Sequence, residues 1–491
     1  MQACRRKSKR KVPKRGTDGR HGLKSRRPTE FTREKKESRC FWVDKTEEKF
    51  IRLTTRPLFP LLAALSAPAV ASMLITAIYN AADSYFVSTV NDTAVGSVGV
   101  VFSFMAVLQA VGFMFGHGAG NYMSRELGKK NYDGAGRLAV TAFVLSFFTG
   151  LVIGVAGLIF IDPLAKFLGS TDTILPYAKN YLKYILIASP FQTSALTLNN
   201  QLRFQGNTKH GLIGLGVGAV LNMGLDPLFI LVFGMNTDGA GLATMISQIV
   251  SFCILVGCTF IGGNMPMKLN RFTLTKAFAK EIFKGGIPSF GRQTIGSVAT
   301  VLLNFALKPY GDFAIAAMTV VARITQILLS VLIGLGQGFQ PVCGMNYGAK
   351  KYDRVVKAFK ITVLSGTVIL SLGAVFGCIF AEPVVEVFAN ERETVEIAAR
   401  ALRYQLIPAA FCAFYMIGSM LLQNLGRSAK ATVLAVSRQG IVFFPLILVL
   451  PRLFGLTGAL ICQPISDVIS IVISLPMLIP DLKKLSKGQP L

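Results

Sequence analysis

Gly128-Lys-Lys-Asn-Tyr-Asp133 returns 220 residues downstream as Gly348-Ala-Lys-Lys-Tyr-Asp353. The same displacement sets Pro68 against Pro288, Asp92 against Asp312, and Gly116-His-Gly118 against Gly336-Gln-Gly338. It also sets Asp162-Pro163 against Glu382-Pro383, Tyr184 against Tyr404 and Gly206 against Gly426; one residue of slippage then pairs Gly239-Ala240 with Gly458-Ala459. Matches spread through one register over most of each half mark an internal duplication.

Around these anchors the chain is apolar. Its 491 residues are 52% hydrophobic and 16% charged, with a mean hydropathy of +0.52, whereas a soluble domain carries about a quarter charged residues. Twelve runs are long enough to cross a bilayer as helices: 60–88, 94–122, 138–161, 181–202, 211–234 and 238–261, then 286–307, 313–342, 361–381, 404–425, 432–450 and 456–479. The expected fold is all-α: a polytopic membrane protein of twelve transmembrane helices in two six-helix bundles. An even number of spans per copy makes the repeats parallel, related by an axis along the membrane normal. The predicted organisation is a basic cytoplasmic tail (1–52), a first bundle (53–261), a cytoplasmic connector (262–285), a second bundle (286–485) and a short cytoplasmic C-terminus (486–491).

The net charge of +27 is concentrated: residues 1–56 hold 20 Lys/Arg and 7 Asp/Glu. This tail reads as disordered. No apolar segment follows its basic stretch, so it is no secretory signal, and Arg26-Arg27 lacks the same context. The run from Arg5 to Lys11 would attract phosphate, but basic segments beside membrane spans more commonly hold the terminus inside, and no nucleic-acid partner is expected. A start at a non-ATG codon for Val43 is a further reading of this segment. Outside the tail, the loops 123–137, 203–210, 262–285, 343–360, 426–431 and 480–491 carry 21 Lys/Arg, against eight in the opposite set. That bias places both termini in the cytoplasm.

Several chemistries are excluded. The eight Cys form no CxxC and have no neighbouring His, so no zinc site is expected. The chain lacks GxxxxGK[ST], and hence a nucleotide-driven pump. Gly214-Leu-Gly-Val-Gly218 and Gly116-His-Gly-Ala-Gly120 follow no strand and serve close helix packing.

Ionisable residues inside spans are expensive and point to function. In Val220-Leu-Asn222-Met-Gly-Leu-Asp226-Pro227, Asn222 and Asp226 share a helix face one turn apart, and Pro227 frees a carbonyl one turn back. The duplication provides a control. Asp83 corresponds to Leu303, and Asp226 falls opposite the apolar Phe444–Leu448 region, so neither acid belongs to the packing pattern that the copies share. Counted from the span ends, Asp83, Asp226 and Thr244 all lie ~12–15 Å inside the external boundary, with Asn222 one turn deeper. Two carboxylates, an amide and a hydroxyl form a hard oxygen set suited to a monovalent cation, H+ or Na+, and two close acids favour a shared proton. Pro68 lies ~22 Å from Asp83 along the first span at helical rise, a position for a kink, which Pro288 repeats. The second bundle instead carries Arg292, Arg323, Arg438 and Asp467 within spans; Arg292 and Arg438 are the stronger candidates for a cavity lining.

From about Leu53 to Leu485 the chain resembles the multidrug and toxic compound extrusion (MATE) family, in its prokaryotic DNA-damage-inducible and staphylococcal multidrug branch. The resemblance rests on Tyr79-Asn-Ala-Ala-Asp83 with Ser84-Tyr-Phe-Val87, on Asn222-Met-Gly-Leu-Asp226-Pro227, on Gly239-Ala-Gly-Leu-Ala-Thr244 and on the 6+6 plan. It implies a V-shaped pair of bundles exporting cationic or amphipathic drugs, driven by inward Na+ or H+. It also implies a cation site in the first lobe at Asp83, Asn222, Asp226 and Thr244, with release linked to a bend at Pro68. Tyr79 joins Arg292 and Arg438 as a candidate cavity residue. The expectation is a monomeric, non-enzymatic antiporter of the bacterial inner membrane, with the coupling ion in place of a cofactor and small-molecule drugs and the lipid bilayer as partners. The N-terminal tail departs from the branch pattern. The competing readings are a lipid-linked oligosaccharide flippase of the same superfamily, which would want a cationic cavity, and a non-transporting membrane protein.

Overall fold

The computed structural model describes residues 45–88, 92–261, 263–389 and 391–491, and among them there is no strand. The first copy comprises α1 (Leu58–Ser88), α2 (Asp92–Gly128), α3 (Tyr132–Ile159), the short α4 (Ile161–Phe167), α5 (Leu175–Phe204), α6 (Thr208–Pro227) and α7 (Asn236–Thr259). The second comprises α8 (Lys276–Leu307), α9 (Asp312–Gly348), α10 (Tyr352–Ile379), the short α11 (Ala381–Glu386), α12 (Arg392–Ala409), α13 (Cys412–Asn424), α14 (Ser428–Val436) and α15 (Phe443–Ser486). Helical backbone covers most of each stretch read as a span, and the duplication extends to backbone detail. The α3 and α10 helices begin and end 220 residues apart. Lys130 and Lys350 both adopt positive φ, 62° and 60°, at the turns that precede them, and Gly206 and Gly426 do so at 77° and 80°.

Among the described residues, eight helical stretches are long and apolar enough to cross a membrane, or nine if α12 and α13, bent by 56°, form one span. One of the eight, Ser428–Ser486, contains two breaks, a π-helical turn at Ser437–Ile441 and non-helical backbone at Gly455. The α5 and α8 helices are long but more polar. Most of α5 is buried, and many of its polar groups bond neighbouring backbone: Ser189 donates to the Gly150 carbonyl at 2.8 Å, Thr193 to Ser146 at 3.0 Å and Gln201 to Ala139 at 2.9 Å, while Asn200 Oδ1, Gln201 Oε1 and Arg203 Nε have no partner. A helix packed on all sides by protein needs satisfied polar groups rather than an apolar surface.

The two lobes join at one end of the molecule. Ser66 of α1 donates to the Leu335 carbonyl of α9 at 3.4 Å, Ser124 of α2 to Asn424 of α13 at 3.3 Å, and Arg125 of α2 to the Asn424 carbonyl at 3.0 Å. The largest apolar cluster spans this junction, with Leu61, Leu62 and Leu65 joined to Phe339, Val342 and Met345. Where α2 crosses α8 the backbones nearly touch: a Cβ on Gly118 would overlap the Ile282 carbonyl, and one on Gly285 would stand 3.1 Å from the Gly118 Cα.

The tail differs from expectation over its last residues. Residues 45–55 are helical and lie across the joined end, while residues 1–44 fall outside the described set. Lys49 donates to the Gly263 carbonyl at 2.9 Å and Arg52 to the Gly206 carbonyl at 2.8 Å, both on the first-lobe side. On the second-lobe side, Asn346 donates to the Leu53 carbonyl and Lys351 to the Thr54 carbonyl, each at 3.0 Å. Leu53 is fully buried in the shared cluster. Basic composition hid this helix, because apart from Leu53 its anchors are polar: its own Lys49 and Arg52 reach carbonyls elsewhere, and Asn346 and Lys351 reach its carbonyls.

Placing a branched side chain at the α2–α8 crossing tests the junction. Gly118→Val is expected to cost about 1–3 kcal/mol by overpacking, read as a lowered midpoint of thermal unfolding in detergent; an unchanged midpoint would contradict the close approach.

Candidate cation and substrate site

The expected first-lobe residues lie on three helices, and a fourth helix joins them. Asn222 and Asp226 sit one turn apart at the end of α6, where Pro227 closes the α-helix and the chain continues as a π-helical turn, Leu228–Val232. Such turns recur at functional positions because they re-aim side chains and backbone. Asn222 Nδ2 lies 3.3 Å from Asp226 Oδ1 and 3.3 Å from the Thr244 hydroxyl of α7. Gly218, one turn before Asn222, permits the approach of α6 to α7: a Cβ there would collide with the Ser251 hydroxyl. Asp83 of α1 accepts a hydrogen bond from the Tyr181 hydroxyl of α5 at 3.1 Å. Tyr79, one turn before Asp83, is buried and lies within electrostatic reach of both acids, and Asp226 likewise feels Asp83.

Asp83 and Asp226 are 0% exposed, and Asn222 and Thr244 are 1% exposed. Each of the first three retains one buried oxygen with no hydrogen-bond partner: Asp83 Oδ1, Asn222 Oδ1 and Asp226 Oδ2. A buried carboxylate without its full complement of partners is costly, so this arrangement favours a bound proton or small cation. Hard oxygens are the donors such a cation takes, so the residues present fit H+ or Na+. No cluster of three or more His, Cys, Asp or Glu side chains placed to hold a metal occurs among the described residues. Beside the acids, a cavity of about 70 Å³ is lined by Tyr79, Gln109, Gln192, Asn222 and Gln248. It is an amide-rich surface that the sequence reading did not single out.

Tyr181 was also missed. It lies eight residues before Ser189, the first serine hydroxyl that ties α5 to its neighbours, and nothing in its flanking sequence distinguishes it from an interfacial tyrosine.

The second lobe is arranged differently. Arg438, a candidate cavity residue, pairs with Asp467 of α15: its Nε lies 2.6 Å from Oδ1 and a second guanidinium nitrogen 3.4 Å from Oδ2. Gln463 donates to the same carboxylate at 2.8 Å, Cys412 Sγ lies 3.8 Å from it, and Ser466 donates to the Arg438 carbonyl. Arg438 is carried by the π-helical turn Ser437–Ile441, which turns it toward α15. Arg292 makes no ion pair among the described residues; Tyr415 and Arg203 lie within its electrostatic reach. Arg323 is exposed on α9. Pro68 sits inside a continuous α1, two residues from each of Ser66 and Val70, which contact α9. The structure therefore brings together Tyr79, Asp83, Asn222, Asp226 and Thr244, and leaves Pro68 at the lobe junction and Arg292 and Arg438 in the second lobe.

The sequence profile described as MatE matches residues 68–228 and again 288–449, the two copies of the repeat. The chain belongs to the MatE family. Among curated MatE relatives it is similar to the multidrug export protein MepA of Staphylococcus haemolyticus, 29% identical over 84% of this chain and 92% of that protein. It is also similar to MepA of Staphylococcus aureus, 27% identical over 84% and 92% of the two chains. Among solved structures, a MATE transporter in the straight conformation superposes with a TM-score of 0.84 at 23% identity, covering 89% of this chain and 99% of that one, and shows the shared fold.

The Arg438–Asp467 pair has a measurable signature. Breaking a buried pair costs about 3–5 kcal/mol, whereas removing both charges costs far less. Arg438→Gln is therefore expected to lower the thermal midpoint sharply, and adding Asp467→Asn to restore most of it; a double variant as unstable as the single would contradict the pairing.

Proposed function

We propose that the protein is a cation-coupled multidrug efflux antiporter, exporting cationic or amphipathic organic compounds in exchange for inward H+ or Na+. The observation that carries this reading is the convergence of three unpartnered buried oxygens, from Asp83, Asn222 and Asp226, in one lobe. The staphylococcal relatives, named as multidrug export proteins, support the substrate class. The α1 helix supplies a physical link, with Tyr79 and Asp83 at the site and Ser66 and Val70 against α9 of the other lobe. Loading Asp83 and Asp226 with a proton or cation removes the penalty of their burial, and α1 repacks between the lobes. An ion drives export only through its different affinity for the two arrangements.

The orientation reading places the joined end, rich in Lys and Arg, in the cytoplasm. This is the arrangement of a monomeric transporter in a bacterial inner membrane with both termini inside. With the Arg438 charge taken up by Asp467, the cationic set that an oligosaccharide flippase would want is reduced from three arginines to Arg292 and Arg323, which favours the drug-export reading.

Asp226→Asn keeps the size of the side chain and removes its charge. Drug resistance conferred by the protein is expected to disappear while expression stays intact; normal efflux by that variant would refute the coupling role.

A further inference from the structure

A second cavity, of about 280 Å³, lies between the helix 45–55, the start of α1 and the turn from α5 into α6. Its polar side is basic: Arg52 and Arg56 come from the helix and the bend after it, and Lys209 and His210 from the first turn of α6. No ion pair neutralises Arg52, Arg56 or Lys209 among the described residues, and Glu48, one turn before Arg52, is the nearest acid that influences it. Arg52 uses one guanidinium nitrogen on the Gly206 carbonyl at 2.8 Å, and its buried Nε has no partner, like Nδ1 of His210. The α6 N-terminus faces the same turn without a side-chain cap, and the amide nitrogen of its N-cap residue Asn207 donates to Asn264. The 20-residue α6 thus adds the positive end of its dipole to three permanent cations.

The opposite wall is apolar. Pro57, Pro60, Leu61 and Ala64 line it, and Pro57, Pro60 and Ala64 are exposed at the point where the first apolar span begins. A cationic pocket walled by hydrocarbon at the rim of a span matches a phosphate carried on acyl chains. A free phosphate would use the guanidinium and ammonium groups but gain nothing from the apolar wall. Basic pockets of this kind at membrane interfaces recognise acidic lipid headgroups.

We propose that this cavity binds the phosphodiester of an anionic phospholipid. The headgroup bridges Arg52 and Arg56 to Lys209 and the α6 N-terminus, and its chains lie along Pro60 and Ala64. Since the helix 45–55 also holds the second lobe through Leu53 and Thr54, an occupied pocket strengthens the clasp across the joined end.

The test measures thermal unfolding of the full chain in phosphatidylglycerol and in phosphatidylcholine nanodiscs, and in lipid-free detergent with millimolar inorganic phosphate. Two double variants with equal charge loss are compared, Arg56→Gln with Lys209→Gln in the pocket and Lys357→Gln with Lys360→Gln on exposed positions of α10. All four side chains are exposed, so folding is not at risk. The expected result is a higher midpoint in the anionic lipid, at least halved in the pocket variant and retained in the α10 variant, with no rise from phosphate. An undiminished lipid response in the pocket variant, an equal loss in both variants, or the same rise from inorganic phosphate would overturn the assignment.

Discussion

Water would solvate the carboxylates of Asp83 and Asp226, and in this fold water is excluded from both. Desolvation of that kind is tolerated only where the group is neutralised or fully hydrogen-bonded. Tyr181 serves one oxygen of Asp83, Asn222 lies beside one oxygen of Asp226, and the other oxygen of each is left over. The glycine that lets α6 meet α7, the π-helical turn after Pro227 and the amide-lined cavity are all arranged around this imbalance. The α1 helix carries one of the acids and also packs on the other lobe, so a change in the charge state of the site is also a change in the mechanics of the junction.

The lobes share a backbone plan but not a charge plan. At the first-lobe site Asp83 and Asp226 each keep a spare oxygen; in the second lobe, Asp467 is met by Arg438, Gln463 and Cys412. Removing one partner of a satisfied pair destabilises a fold, whereas an unsatisfied pair can accept a ligand. This asymmetry separates a structural carboxylate from a coupling one in the same protein, and the joined end, tied by glycine crossings and the helix 45–55, lets one lobe feel what binds in the other.

Much of this was legible in the residues. The register of 220 residues held down to matching positive φ at Lys130 and Lys350, because turns that reverse a chain between helices admit few backbone solutions. The depth count grouped Asp83, Asp226 and Thr244 from helical rise alone, and in the structure Asn222 lies beside both Asp226 and Thr244. Other features were not legible. Tyr181 reaches Asp83 across 98 residues of sequence, and no local pattern signals such a contact. Arg438 stood out as a cavity candidate because the pairing partner lies on another helix, 29 residues on, beyond a break at Gly455. The helix 45–55 was concealed by its charge, since polar contacts made by Lys49 and Arg52 and received by its carbonyls hold it more than an apolar face does.

The central claim is that occupancy of the first-lobe oxygens by a cation drives movement of an organic compound in the opposite direction. Efflux of an ethidium-like cation from proteoliposomes, with Na+ and pH gradients imposed separately, tests it most directly. The account predicts that at least one of the two gradients accelerates export and that its collapse stops it. Export indifferent to both would contradict it.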